Sequence, residues 1–63
     1  MKQTLFVIMN NKNQYYAGDI WWATYFTEAK FFINRELAKK ELKSKQLEGK
    51  IHWILINPII DDL

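Results

Sequence analysis

The segment Thr4 to Asn10 reads TLFVIMN, a strand rich in β-branched and aromatic residues and apolar on both faces. Leu5, Val7 and Met9 fall on one side of such a strand, and Phe6 and Ile8 on the other. A strand of this kind belongs in the middle of a sheet that is covered on two sides. That is demanding for a chain of 63 residues, a length near the lower limit for independent folding. There is no cysteine, so neither a disulfide nor a thiolate metal site can staple the fold. Packing has to do the work, and 49% of the residues are hydrophobic and 16% aromatic. With so thin a core, extra burial from dimerisation or a bound partner is expected to help.

Asn10 to Gln14 is polar and Asn-rich, a turn that folds the chain into a hairpin. Tyr15 and Tyr16 open a second strand, and Ala17-Gly18-Asp19 marks a bulge or a second bend. Ile20 to Tyr25 continues that strand or forms a separate short one. Without a bulge, Tyr15, Ala17, Asp19, Trp21, Ala23 and Tyr25 share one face; Ile20, Trp22 and Phe26 lie on the other, more core-like one. Thr27 reads as a helix N-cap with Glu28 in the first turn, and Asn34 is a second cap site. The segment is therefore one helix or a short turn leading into a longer one. On a helical wheel Phe31, Ala38 and Leu42 fall within about 40° of each other, flanked by Phe32 and Leu37. The opposite side carries Glu36-Lys40 and Glu41-Lys45, both in the favourable acid-first order.

Gly49 is a natural helix stop, after which Lys50 to Ile56 (KIHWILI) forms the last strand, closed by Asn57-Pro58. The expected fold is α+β: a single domain over residues 1–63, with a three-stranded sheet and one helix packed on one face, in the order β-β-α-β. The helix is long enough to serve as a right-handed crossover, which allows the last strand to pair parallel to the first. The strand order stays open.

Catalysis finds few materials here. His52 is the only histidine and Ser44, late in the helix, the only serine, so no nucleophile with an adjacent base is expected. Gly18 and Gly49 are the only glycines, too few for a phosphate-cradling loop or a dinucleotide fingerprint. Asp61-Asp62 with His52 lacks metal-ligand spacing and reads as a solvated tail. The expectation is a non-enzyme without cofactor or metal. No apolar run approaches the ~20 residues of a membrane span, and Leu5 to Met9 is too short for a signal sequence, so a cytoplasmic location is expected.

A net charge of +2 is too small to mark a nucleic-acid binder. Distribution matters more, because Arg35, Lys39 and Lys43 recur at i, i+4, i+8 and share a helix face that could contact phosphates. Exposed Tyr15, Trp21 and Tyr25 could then stack on single-stranded bases, although interleaved glutamates weaken the field. The same three aromatics, mixed with Asp19, also have the composition of a protein interface. That is the preferred reading. The partner-binding set is accordingly Tyr15, Trp21, Tyr25, Arg35, Lys39 and Lys43.

From Tyr16 to Phe32 the chain runs YAGDIWWATYFTEAKFF. This resembles a pattern in short proteins encoded by phages and prophages of low-GC Gram-positive bacteria. There, a hairpin with a Lys/Asn-rich turn leads to a Tyr and a Trp, then an aliphatic or Phe, an Ala-Lys pair and another aromatic. The matching positions are Tyr16, Trp22, Phe26, Ala29-Lys30 and Phe32; Trp21 and Ile59-Ile60 stand outside the pattern. The resemblance implies an accessory protein that binds and sterically inhibits a host protein, anti-CRISPR proteins being examples of that role. A nucleic-acid-binding module and a self-assembling phage component, dimeric through its sheet face, are the alternatives.

Overall fold

A computed structural model describes residues 3–56. The fold is α+β, with a four-stranded antiparallel sheet and one α-helix. Strands β1 (Gln3–Met9), β2 (Tyr15–Gly18) and β3 (Trp21–Ala23) precede a single 3₁₀ turn, Phe26–Glu28; helix α1 (Arg35–Ser44) and strand β4 (Lys50–Ile56) follow. The order across the sheet is β3-β2-β1-β4. The doubly apolar first strand is thus an interior strand, as its sequence demands.

Two features depart from the three-stranded β-β-α-β expectation. The second strand is split by a turn at Asp19-Ile20 into β2 and β3, with a register shift between Tyr16 and Gly18 where Gly18 takes φ +98°. The last strand runs antiparallel to the first, not parallel, in continuous register from Gln3↔Ile56 to Met9↔Lys50. The turn explains both. It reverses the chain once more, so the connection through the helix re-enters the sheet from the opposite end.

β1 and β2 pair at Met9↔Tyr15 and then separate. The extended segment after the 3₁₀ turn fills the opening. The Lys30 N–H donates to the Tyr16 carbonyl (2.8 Å), and Phe32 exchanges two backbone hydrogen bonds with Phe6 (both 2.9 Å). Thr27 is therefore no N-cap; it lies within the 3₁₀ turn, and residues through Ile33 are not helical. The helix starts at the second expected site, where the Asn34 side chain accepts from the Leu37 N–H (2.9 Å). It ends at Ser44, before Gly49. Gln46 takes the left-handed position (φ +52°), with Leu47 N–H bonded to the Leu42 carbonyl and Gln46 N–H to that of Lys43, a Schellman stop without glycine. Gly49 has a different purpose. A Cβ there would lie 2.8 Å from the Met9 carbonyl oxygen and 3.0 Å from the Ile8 side chain, so it permits a close backbone approach to β1.

Paired residues share a sheet face. Phe6 and Trp53, Ile8 and Ile51, and Tyr16 and Trp22 therefore line the helix side. There Ile8, Tyr16, Phe32 and Ala38 form the buried cluster, joined by Phe6, Trp22, Leu42, Leu47 and Ile51. Ala38 and Leu42 are the core stripe expected of the helix, but Phe31 belongs to the extended segment and the other face. One step along the Phe6↔Phe32 register places Phe31 beside Val7, which is 1% exposed. Edge-on contacts Tyr15–Phe26 (5.8 Å) and Phe26–Phe31 (5.3 Å) extend this second aromatic layer. Ile20 and Phe26, expected in the main core, are exposed because the turn and the 3₁₀ segment break the alternation that placed them there. Asn57-Pro58, Ile59-Ile60 and Asp61-Asp62 lie outside the described residues.

Candidate protein-interaction site

The β2–β3 hairpin carries the most exposed large apolar side chains of the sheet. Its two turn residues, Asp19 and Ile20, both have positive φ (+49° and +59°), the pattern of a tight type I′ connection. The second position of that turn normally takes glycine. A β-branched residue is strained there, by roughly 1–2 kcal/mol for an L-residue in the left-handed region. Ile20 nevertheless occupies it and is 67% exposed; Trp21 follows at 73% and Tyr25 at 68%. Trp21 and Tyr25, with Ala17, Ala23 and Glu28, line one shallow surface depression. Trp22 turns the other way, half-buried and edge-on against the Tyr16 ring at 5.7 Å.

Replacing Ile20 by Gly is expected to stabilise the fold by about 0.5–1 kcal/mol, since relief of left-handed strain outweighs glycine's extra unfolded-state entropy. Urea denaturation of the two proteins measures this. An unchanged or lower midpoint would show that Ile20 is not strained in solution.

Tyr15, Trp21 and Tyr25 are only partly brought together. Trp21 and Tyr25 share the depression, whereas Tyr15 is half-buried against Phe26 rather than exposed. Arg35, Lys39 and Lys43 are exposed on α1. At 100° per residue they lie roughly 120–160° around the helix from Glu41, which points toward Tyr16 on β2. The basic stripe and the hairpin aromatics therefore occupy different flanks and do not form one rimmed surface.

Sequence reasoning missed a polar knot behind the hairpin. The Tyr16 hydroxyl, on a fully buried residue, donates to Glu41 Oε2 at 2.7 Å. Lys30 Nζ approaches the same oxygen at 3.4 Å and Lys45 Nζ at 3.9 Å, and Lys45 also reaches Asp19 in the turn at 3.7 Å. Glu41 is thus no outward member of a simple i,i+4 pair, although its contact with Lys45 exists. Burial, and then the hydrogen bond to Glu41, push the Tyr16 phenol above its ordinary pKa, with the Ile20 backbone acting in the opposite sense. The Tyr16 hydrogen bond, aided by Lys30 and Lys45, holds Glu41 below the usual carboxylate range against the effect of burial. Lys30 also stands over the Phe32 ring, 5.6 Å from its centroid. The knot ties the helix to the hairpin through Glu41 to Tyr16 and through Lys45 to Asp19. Trp53 and Leu55 on β4 are further exposed apolar residues; the two-faced apolar reading applied to the first strand would have exposed them in KIHWILI.

His52 is exposed on β4, opposite Val7 in register. Among the described residues no group of three or more His, Cys, Asp or Glu side chains converges, and no helix is long and apolar enough to cross a membrane. Comparisons with protein-family models, curated proteins and solved structures find no match in any of the three.

Proposed function

We propose that the chain is a non-enzymatic binding protein, of the phage-accessory type its sequence resembles, that docks the β2–β3 hairpin onto a host protein. It acts by covering a functional surface of that partner, and a defence nuclease is the first partner to test. The observation that carries this reading is Trp21: a large aromatic, 73% exposed, on a hairpin tip whose neighbour Ile20 is apolar despite left-handed strain. Backbone strain of this kind clusters at sites of contact, where a strained residue is held by its function rather than by stability. Tryptophan and tyrosine supply the largest contributions at protein interfaces. The contacts of Glu41 with Tyr16 and of Lys45 with Asp19 hold the hairpin against the helix, which lowers the ordering cost on binding.

Replacing Trp21 by Ala is expected to leave the unfolding midpoint nearly unchanged and to weaken partner binding by about 2 kcal/mol or more. Affinity purification from host cells identifies the partner, and calorimetry with wild type and variant measures the effect. Equal affinities would remove the hairpin from the interface.

A nucleic-acid reading keeps one supporting observation: among the described residues, Arg35, Lys39 and Lys43 are exposed and in no ion pair. Their distance around the helix from the aromatics weighs against a combined phosphate and base-stacking groove. A steep salt dependence of binding to single-stranded DNA or RNA would favour that reading instead.

A further inference from the structure

The two edges of the sheet are unequal. β3 has three residues, a short edge of the kind that discourages pairing, whereas β4 has seven. Lys50 is its single charged residue, and Trp53 and Leu55 are 60% and 54% exposed. Ladder geometry tells which of its backbone groups face outward. Phe6 spends its N–H and C=O on Phe32, and Asn10 its N–H on Gln14, so alternate β1 residues bond away from β4. Phe6↔Trp53 and Ile8↔Ile51 are therefore non-hydrogen-bonded pairs. The N–H and C=O groups of Ile51, Trp53 and Leu55 consequently point out of the sheet, and among the described residues they have no partner strand.

We propose that β4 pairs antiparallel with β4 of a second copy, across a two-fold axis at Trp53, joining two sheets into one. This register matches Ile51 with the second copy's Leu55 and Trp53 with its own counterpart, so every outward residue of the strand exchanges both hydrogen bonds. Moving the axis to His52 takes Leu55 past the start of the facing strand, opposite Gly49, and moving it to Ile54 takes Ile51 beyond the described residues. The charge pattern agrees, since Lys50 falls opposite Ile56 and no like charges meet. On the helix side the exposed Trp53 rings pack on each other beside Leu55 and Ile51, removing apolar surface that one chain leaves in water. This interface is separate from the Trp21 hairpin.

The test combines molar mass in solution with residue-resolved amide exchange. The expected mass rises with concentration from 7.6 kDa toward twice that value, while the Ile51, Trp53 and Leu55 amides become protected together. Trp53→Pro removes an outward N–H without touching the β1 ladder, and Trp53→Lys places like charges across the axis. Each is expected to weaken the dimer roughly tenfold or more, and the lysine variant decides the matter if the proline variant fails to fold. Trp21→Ala is expected to leave the dimer intact, which keeps this interface distinguishable from hairpin docking. A 7.6 kDa species at the highest soluble concentration would overturn the proposal. So would a dimer that survives both edge variants, or protection of those three amides within a monomer.

Discussion

Phe32→Ala is expected to remove at least about a third of the protein's stability. Phe32 is 6% exposed, lies in the central cluster, and belongs to the segment that wedges β1 and β2 apart. Truncating a buried phenylalanine costs about 3–5 kcal/mol, the lost transfer energy plus the cavity. A chain of 63 residues has a total stability of roughly 3–9 kcal/mol, so the loss ranges from about a third to the whole of it. The backbone bonds of residue 32 to Phe6 do not need the ring, but they lose the packing that keeps water from competing for them. Ile33→Ala is the contrasting case, because Ile33 is 68% exposed and the change should fall within about 0.5 kcal/mol. Phe31→Ala, at the partly covered second face, should lie between them. Thermal unfolding of the three variants gives the ranking. A larger loss for Phe31 than for Phe32 would contradict the extended geometry and favour a helix through this segment.

That contrast marks where local sequence signals ran out. Thr27 and Asn34 are both good caps, and nothing local decides between them; the choice fell to Phe32, whose backbone is satisfied by Phe6 far away in the chain. A single helical phase from Phe31 to Leu42 then looked continuous, because aromatic residues suit an extended segment as well as a buried helix face. The elements themselves were legible. β1 ends in the Asn-rich turn that its sequence marks, β4 begins after Gly49, and Asn34 is legible as an alternative helix start. The division of Trp21 from Trp22 was also readable, since alternation survives across the paired hairpin. A bend at Ala17-Gly18-Asp19 and a separate short strand after it are both legible as alternatives, but the sequence does not say that the turn takes in Ile20, which unbroken alternation would place on the core face. Strand direction depends on whether that feature is a bulge or a full turn. Glu41 escaped notice because its decisive partner, Tyr16, lies 25 residues away, while its helix neighbour Lys45 offered a sufficient local explanation.

The Tyr16–Glu41 bond makes stability fall at both ends of the pH scale. The Glu41 pKa is lowered in the folded protein, chiefly by the Tyr16 hydrogen bond. Its stabilising contribution is present above the unfolded value of about 4.3 and is lost as pH drops through the folded value. The Tyr16 pKa is raised, first by burial and then by Glu41. Its contribution is complete below the unfolded value of about 10 and disappears as pH rises through the folded one. At neutral pH, Glu41→Ala leaves a buried hydroxyl without its acceptor, an expected loss of about 1–3 kcal/mol. Tyr16→Phe removes the donor with little change of shape and leaves Glu41 paired with Lys30 and Lys45, so about 1 kcal/mol is expected. With the hydroxyl already gone, Glu41→Ala should cost less than it does alone, and the double variant should fall short of the sum of the singles. Urea denaturation across pH 3 to 11, a range wide enough to span both ordinary values, tests the whole scheme. Additive single effects, or a Tyr16→Phe protein that keeps the wild-type alkaline decline, would dissolve the link between the two residues.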